Sequence, residues 1–353
     1  METAQATNLE RILTKATQEI PLEREELMTL LGLSQEEDLA KVFETARYLR
    51  TRYFQNKVFA YGFVYFSTYC QNECAFCLYR KSNQFLERYR KSPSEIMETA
   101  HSLVESGVHL LDLTMGEDPL YFTKGFEPLI ELVERIKQTT KIRIMLSAGV
   151  LAEKDLEKFR RAGVDWYATY QETHNLELYR KLRLGQSYAE RMKRKYAARS
   201  MGFLIEEGLL TGVGDSKEDL IDSLAEMKRL QADQIRVMSF IPQKNTPMQN
   251  FRSVPRFREL LLIAVMRLVF PDRLIPASLD VDGLNGLADR LNSGANVVTS
   301  IIPPQSGLAG VSNHSLDIDD GNRTIPRILP VLEQNGLVLA KRCEYDDWVQ
   351  RRQ

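Results

Sequence analysis

The chain has 353 residues, of which 43% are apolar, with a formal net charge of −1 at pH 7. That length supports one large domain or two small ones, and near-neutrality gives no general attraction to nucleic acid or to an anionic membrane. The most apolar stretch, 260–266, is broken by Arg267 and too short to span a bilayer, and METAQATNLER at the N-terminus lacks the apolar core of a signal peptide.

The first 57 residues read as a helical cap: Leu9, Ile12 and Leu13 form one apolar stripe, and Leu39, Val42, Phe43, Ala46 and Leu49 form another at helical spacing. Pro21 is expected to open the helix between them, with acidic residues in its first turn. From residue 58 short β-rich runs alternate with longer amphipathic ones. The strands are expected at 58–66, 108–114, 142–147, 166–170, 203–211, 234–239, 274–278 and 296–300. Amphipathic helices are expected between them, among them 94–105, 126–139, 153–161, 189–200, 217–230 and 257–270. Alternation of this kind implies parallel strands with crossover helices, and eight strands imply a closed α/β fold, a (β/α)8 TIM-type barrel over 58–304. Basic residues within 191–199 read as a solvated helix face. Residues 305–353 are expected to form a C-terminal tail packing on the barrel: a last helix at 324–335, then a charged end that carries Cys343 as a free thiol.

Cys70, Cys74 and Cys77 fall within eight residues, in YCQNECAFC. Three such thiolates can hold three irons of a [4Fe–4S] cluster and leave the fourth iron open to a small molecule. A zinc site, with Cys343 as remote fourth ligand, is the alternative, and would make the protein a non-catalytic scaffold. Four cysteines in a chain this long do not make a disulfide framework. A β-rich run precedes the cysteines and a polar, irregular stretch carries them. This spacing, with Phe76 just before the last cysteine, resembles the radical S-adenosylmethionine (radical SAM) enzymes. The resemblance implies a [4Fe–4S] cluster and S-adenosyl-L-methionine as cofactors, with a 5′-deoxyadenosyl radical rather than a side chain as the reactive group. An oxygen-sensitive cluster and unpaired thiols both fit the reducing cytoplasm.

After the second strand comes Met115-Gly116-Glu117-Asp118-Pro119. A glycine there permits close approach to the backbone, and an acid accepts hydrogen bonds from an ammonium; a plain turn would use the same residues. The segment is similar to the Gly-Gly-Glu that binds the methionyl amino group in radical SAM barrels, with Met115 in place of the first glycine. Glu172, after the fourth strand, suits the ribose hydroxyls, and Arg183 and Arg191 suit a carboxylate. These three match an acid and arginines of the biotin-synthase-like branch, with Ser147 a lesser candidate; surface salt bridges are the alternative for each arginine.

The remaining strand ends are polar for a barrel interior: Asp112, Arg236, Ser278 and Asp280. Buried charge is costly unless paired. Either Asp112 and Arg236 pair with each other, or these residues meet a ligand that carries both signs, such as a diamino acid. The runs YFSTYC, DLTMGEDP, YQET, LYRKLRLGQS, LTGVG, RLIPASLD and RLNSGANVVTSIIPP resemble lysine carbon-skeleton mutases within the same branch. That resemblance implies isomerisation of L-lysine to (3R)-3-methyl-D-ornithine by Cα–Cβ fragmentation and recombination, the first step of pyrrolysine biosynthesis. It places Arg236 on the α-carboxylate and Asp112, Ser278 and Asp280 on the amino groups, with a reduced flavodoxin- or ferredoxin-type protein as electron donor. A hydrogenase-maturation-type radical SAM enzyme is the nearest rival. Biotin synthase would need three further cysteines at barrel positions.

Overall fold

Side-chain alternation along β1 (Lys57–Ser67) sets the architecture: Phe59, Tyr61, Phe63 and Tyr65 point to one core, while Val58, Ala60, Val64 and Phe66 point to another. The first core is the inside of a barrel and the second is the layer between barrel and helices. The computed structural model describes residues 2–308 and 320–353; residues 309–319 of the expected C-terminal tail lie outside the described residues.

Seven further strands follow: β2 (Leu110–Met115), β3 (Arg143–Ser147), β4 (Trp166–Ala168), β5 (Leu204–Thr211), β6 (Gln234–Ser239), β7 (Pro276–Ser278) and β8 (Val297–Ile301). They pair in parallel in the order β6-β5-β4-β3-β2-β1-β8-β7. The last seam, β6 to β7, closes only at its start, where Ile235 N–H donates to Leu274 O at 3.0 Å and Leu274 N–H donates to Asp233 O at 3.2 Å. The barrel is therefore tight at the amino ends of its strands and spread at the carboxyl ends. Helices such as Pro93–Glu105, Lys217–Leu230 and Phe257–Val269 cross between strands, each with its apolar face on the outer core.

Three elements depart from the sequence expectation. The fourth strand stops at Ala168, and the chain meets β5 again only at Glu172, which adopts φ +68° and bridges to Leu209. The second helix, α2 (Arg24–Leu31), follows α1 (Glu2–Thr17) and starts three residues beyond Pro21. Its start is set by Glu23, whose backbone N–H donates to the Glu26 carboxylate at 2.8 Å. α3 (Glu36–Phe54) then packs against the helix Phe257–Val269.

The charged end is the third departure. After the helix Ile325–Gln334, β9 (Val338–Leu339) pairs with the beginning of β1, and the helix Arg342–Arg352 closes the amino end of the barrel. Trp348 stacks on Trp166 with centroids 6.0 Å apart, and the hydroxyls of Tyr345 and Tyr61 lie 2.8 Å apart. His109 accepts from Ala60 N–H and donates from Nε2 to Ala340 O, both at 2.9 Å, tying this segment to β1. The barrel is thus sealed below and open above. Among the described residues no helix is long and apolar enough to cross a membrane.

Candidate active site

Residues 68–91 connect β1 to the helix Pro93–Glu105 as an irregular loop, so its carbonyl groups need partners other than a ladder. Arg88 supplies several: its guanidinium donates to the carbonyls of Thr68, Tyr79, Arg80 and Asn83. Asp118 clamps the base of the loop. It accepts from Ser67 Oγ at 2.6 Å, from Arg90 through two nitrogens at 2.6 and 2.8 Å, and from Leu120 N–H at 2.9 Å. Burial alone would raise the Asp118 pKa, but Arg90 and Ser67 hold it below the usual carboxylate range. Asp118→Ala is expected to lower unfolding free energy by about 2–4 kcal/mol, read as an earlier midpoint in urea; an unchanged midpoint contradicts this role.

Gly116 sits under the same loop. A Cβ there would lie 2.3 Å from Tyr69 O and 2.9 Å from Cys70 Cβ, so the cysteine loop itself demands the glycine. The sequence had suggested close approach of a ligand; the closest approach is by backbone.

A cavity of about 250 Å³ opens at the carboxyl end of the barrel. Cys70, Cys74, Cys77 and Phe76 line it together with Gly116, Glu117, Ser147, Glu172, Arg183 and Arg191, and with Asp112, Arg236 and Asp280. Ser278 is the candidate that does not line it: its hydroxyl accepts from Asp280 N–H at 3.2 Å, bracing that residue from behind.

Cys74 is buried and Cys70 and Cys77 are half-buried. Burial, reinforced by the neighbouring thiols, pushes Cys70 up to about 11 and Cys77 higher still, so the thiolates need cationic compensation. Among the described residues no three His, Cys, Asp or Glu side chains are placed to hold one metal ion. The zinc alternative also lacks its remote fourth ligand, because Cys343 is exposed on the helix that closes the opposite end of the barrel. Arg183 Nη1 lies 3.6 Å and Gln186 Nε2 3.0 Å from Cys74 Sγ.

Next to the cysteines stands a charged, mutually bonded group. Glu117 accepts from Val150 N–H at 3.1 Å and from Gln71 Nε2 at 3.2 Å, with Arg191 Nη2 3.5 Å away. Arg183 donates to Glu172 at 2.7 Å, and burial keeps the Glu172 pKa above its usual range despite that contact. Arg191 donates to Thr169 Oγ1 and, at 2.7 Å, to Gln186 Oε1. Both arginines are buried, which overturns the reading of surface salt bridges.

The polar residues deeper in the barrel are paired differently from expectation. Arg236 does not pair with Asp112: its Nε donates to Glu206 of the adjacent strand β5 at 2.7 Å, and Tyr170 Oη donates to the same carboxylate at 2.9 Å. Arg236 Nη2 has no partner among the described residues, although buried. Asp112 accepts from Thr114 Oγ1 at 2.9 Å. Burial, then the charge on Glu206, pushes Asp112 up to about 7. Asp280 accepts from Arg323 Nη1 at 2.6 Å, Ser300 Oγ at 2.7 Å and Tyr65 Oη at 3.0 Å. Glu206, Arg323, Tyr65 and Tyr170 were not singled out from sequence. Among the described residues three carboxylates here face two guanidiniums, an excess of one negative charge when Asp112 is ionised.

The family model described as the radical SAM superfamily matches residues 64–227. The chain is 44% identical over 339 residues to a 3-methylornithine synthase of Methanosarcina acetivorans, covering 96% of each chain. It superposes on the crystal structure of a methylornithine synthase with a TM-score of 0.91 at 42% identity, covering 96% of this chain and 99% of that one. An [FeFe] hydrogenase maturase subunit of Thermotoga maritima is 31% identical over 278 residues, covering 78% of this chain and 79% of the maturase.

Proposed function

The chain belongs to the 3-methylornithine synthase family of the radical SAM superfamily, and on that premise we propose that it isomerises L-lysine to 3-methylornithine in pyrrolysine biosynthesis. The observation that carries the substrate assignment is the buried group beside the cysteine loop, one negative charge in excess among the described residues, with Arg236 Nη2 unpartnered among them. L-Lysine has the complementary set: one carboxylate and two ammonium groups.

When bound, the [4Fe–4S] cluster and S-adenosylmethionine supply a 5′-deoxyadenosyl radical that takes a hydrogen atom from the substrate. The donor set fits that pair of groups. Cys70, Cys74 and Cys77 would hold three irons, and Glu117 would take the methionyl ammonium. Arg191 and Arg183 would face its carboxylate, with Glu172 on the ribose and Phe76, Gly116 and Ser147 along the wall.

The protein's own task is to hold a substrate that breaks in two and rejoins. Arg236, fixed by Glu206 and Tyr170, binds the α-carboxylate through its free edge. Asp112 and Asp280 bind the ammonium groups, so each fragment keeps a charged anchor while the Cα–Cβ bond is open. Tyr61, Trp166, Tyr345 and Trp348 close the floor of the barrel against water, which protects the open-shell fragments and preserves their orientation. A reduced flavodoxin- or ferredoxin-type protein delivers the electron, and the reducing cytoplasm is the compartment these thiols require.

Equilibrium binding tests the substrate class. Lysine is expected to bind the reconstituted protein at least about tenfold more tightly than norleucine, which lacks the side-chain amine, or 1,5-diaminopentane, which lacks the carboxylate. Equal binding of either analogue contradicts the reading. The same measurement has a pH signature. Asp112 pairs with an ammonium only when ionised, so binding weakens as pH falls through about 7. Affinity at pH 6 should be about tenfold below that at pH 8; a flat profile would remove Asp112 from the site.

A further inference from the structure

Asp280 reaches the cavity from the loop after β7, and the groups that hold it come from elsewhere in the chain. Ser300, in β8, donates its hydroxyl to Asp280 at 2.7 Å and adopts φ +66°, a left-handed conformation uncommon for a residue with a side chain. Arg323 lies beyond the eighth strand, in the segment leading to the helix Ile325–Gln334, and its carbonyl accepts from Ile302 N–H at 2.9 Å. Its guanidinium, buried, meets Asp280 Oδ1 at 2.6 Å. Neither Ser300 nor Arg323 lines the cavity; both act on Asp280 from behind, while Tyr65 bonds it from within.

We propose that Arg323 is a positioning residue for the substrate: the segment after the barrel completes the lysine site by fixing the Asp280 carboxylate in place. The inference rests on the lysine reading above. A buried carboxylate that loses its guanidinium partner turns toward other donors, because uncompensated charge is costly at that depth, and so stops anchoring an ammonium. Arg323 also offsets the charge of Asp280, so that the described residues carry one excess negative charge rather than two, which matches the net charge of lysine.

The test uses the full-length, reconstituted holoenzyme. Arg323→Gln is expected to raise the lysine KM by about thirtyfold or more, with kcat at saturation changed by less than about threefold. Iron content and S-adenosylmethionine binding should stay at wild-type values. Arg323→Lys, which restores the charge without the planar fork, should recover most of the KM. Ser300→Ala removes a second donor to the same carboxylate and leaves the ion pair, so it should raise KM by about three- to tenfold, and it serves if the glutamine variant does not fold. A native KM in the folded variants overturns the proposal, as does an equal loss of iron and kcat in the glutamine and lysine variants at unchanged KM, which marks a purely structural arginine. Failure of the wild-type enzyme to bind or turn over lysine is a different result, and takes down the lysine reading together with this inference.

Discussion

Cys74→Ala loses both S-adenosylmethionine cleavage and lysine isomerisation, to below detection. Cys74 is the buried member of the cysteine trio, and it receives two donors, from Arg183 and Gln186. Removing the sulfur would leave two of the three cysteines that hold the cluster. Iron per chain, the cluster's electron paramagnetic resonance signal and 5′-deoxyadenosine release should fall together. Cys343→Ala is the control: that thiol is exposed on the helix closing the opposite end of the barrel, and its loss should change none of the three. A Cys74→Ala protein with a full complement of iron and intact cleavage would mean that the cluster is held elsewhere.

Asp112→Asn raises the lysine KM by about thirtyfold or more, the cost of truncating one partner of a buried charge pair. Cofactor binding should persist, because the cysteine loop and the Glu117 and Glu172 groups do not depend on Asp112 for any bond described above. Asp112 gives a cleaner test than Asp280. Replacing Asp280 by asparagine breaks its buried ion pair with Arg323 and threatens the fold, whereas Asp112 makes no ion pair among the described residues. Removing its buried charge should leave thermal stability unchanged or slightly higher. An unchanged KM would assign the ammonium groups to other acceptors.

The fold was legible because a barrel strand covered on both sides carries continuous β-branched and aromatic runs, and each of the eight runs does form a strand. The cysteine motif stood out because its three thiols lie within eight residues. Pairing inside the barrel was less so, since it links residues distant in the chain. Asp112 and Arg236 were weighed against each other because both stood out in apolar strands, yet the partner of Arg236 is Glu206. A signal existed: consecutive acids in LIEEGLLT must point to opposite faces of β5. Glu206 turns inward to Arg236, and Glu207 turns outward to the buried Lys195. Arg323 had no such signal, because nothing local distinguishes it from a surface arginine. The final helix was masked by its charge, although Tyr345, Trp348 and Val349 already stand at helical spacing.

A lysine mutase rearranges its substrate's carbon skeleton. The direct measurement is to incubate the reduced, reconstituted protein anaerobically with S-adenosylmethionine and uniformly 13C-labelled L-lysine, then examine the products by mass spectrometry and NMR. A product of unchanged mass that retains every labelled carbon and shows a new methyl group, formed only with both cluster and cofactor, is the predicted result. Release of 5′-deoxyadenosine with the lysine skeleton intact would contradict it.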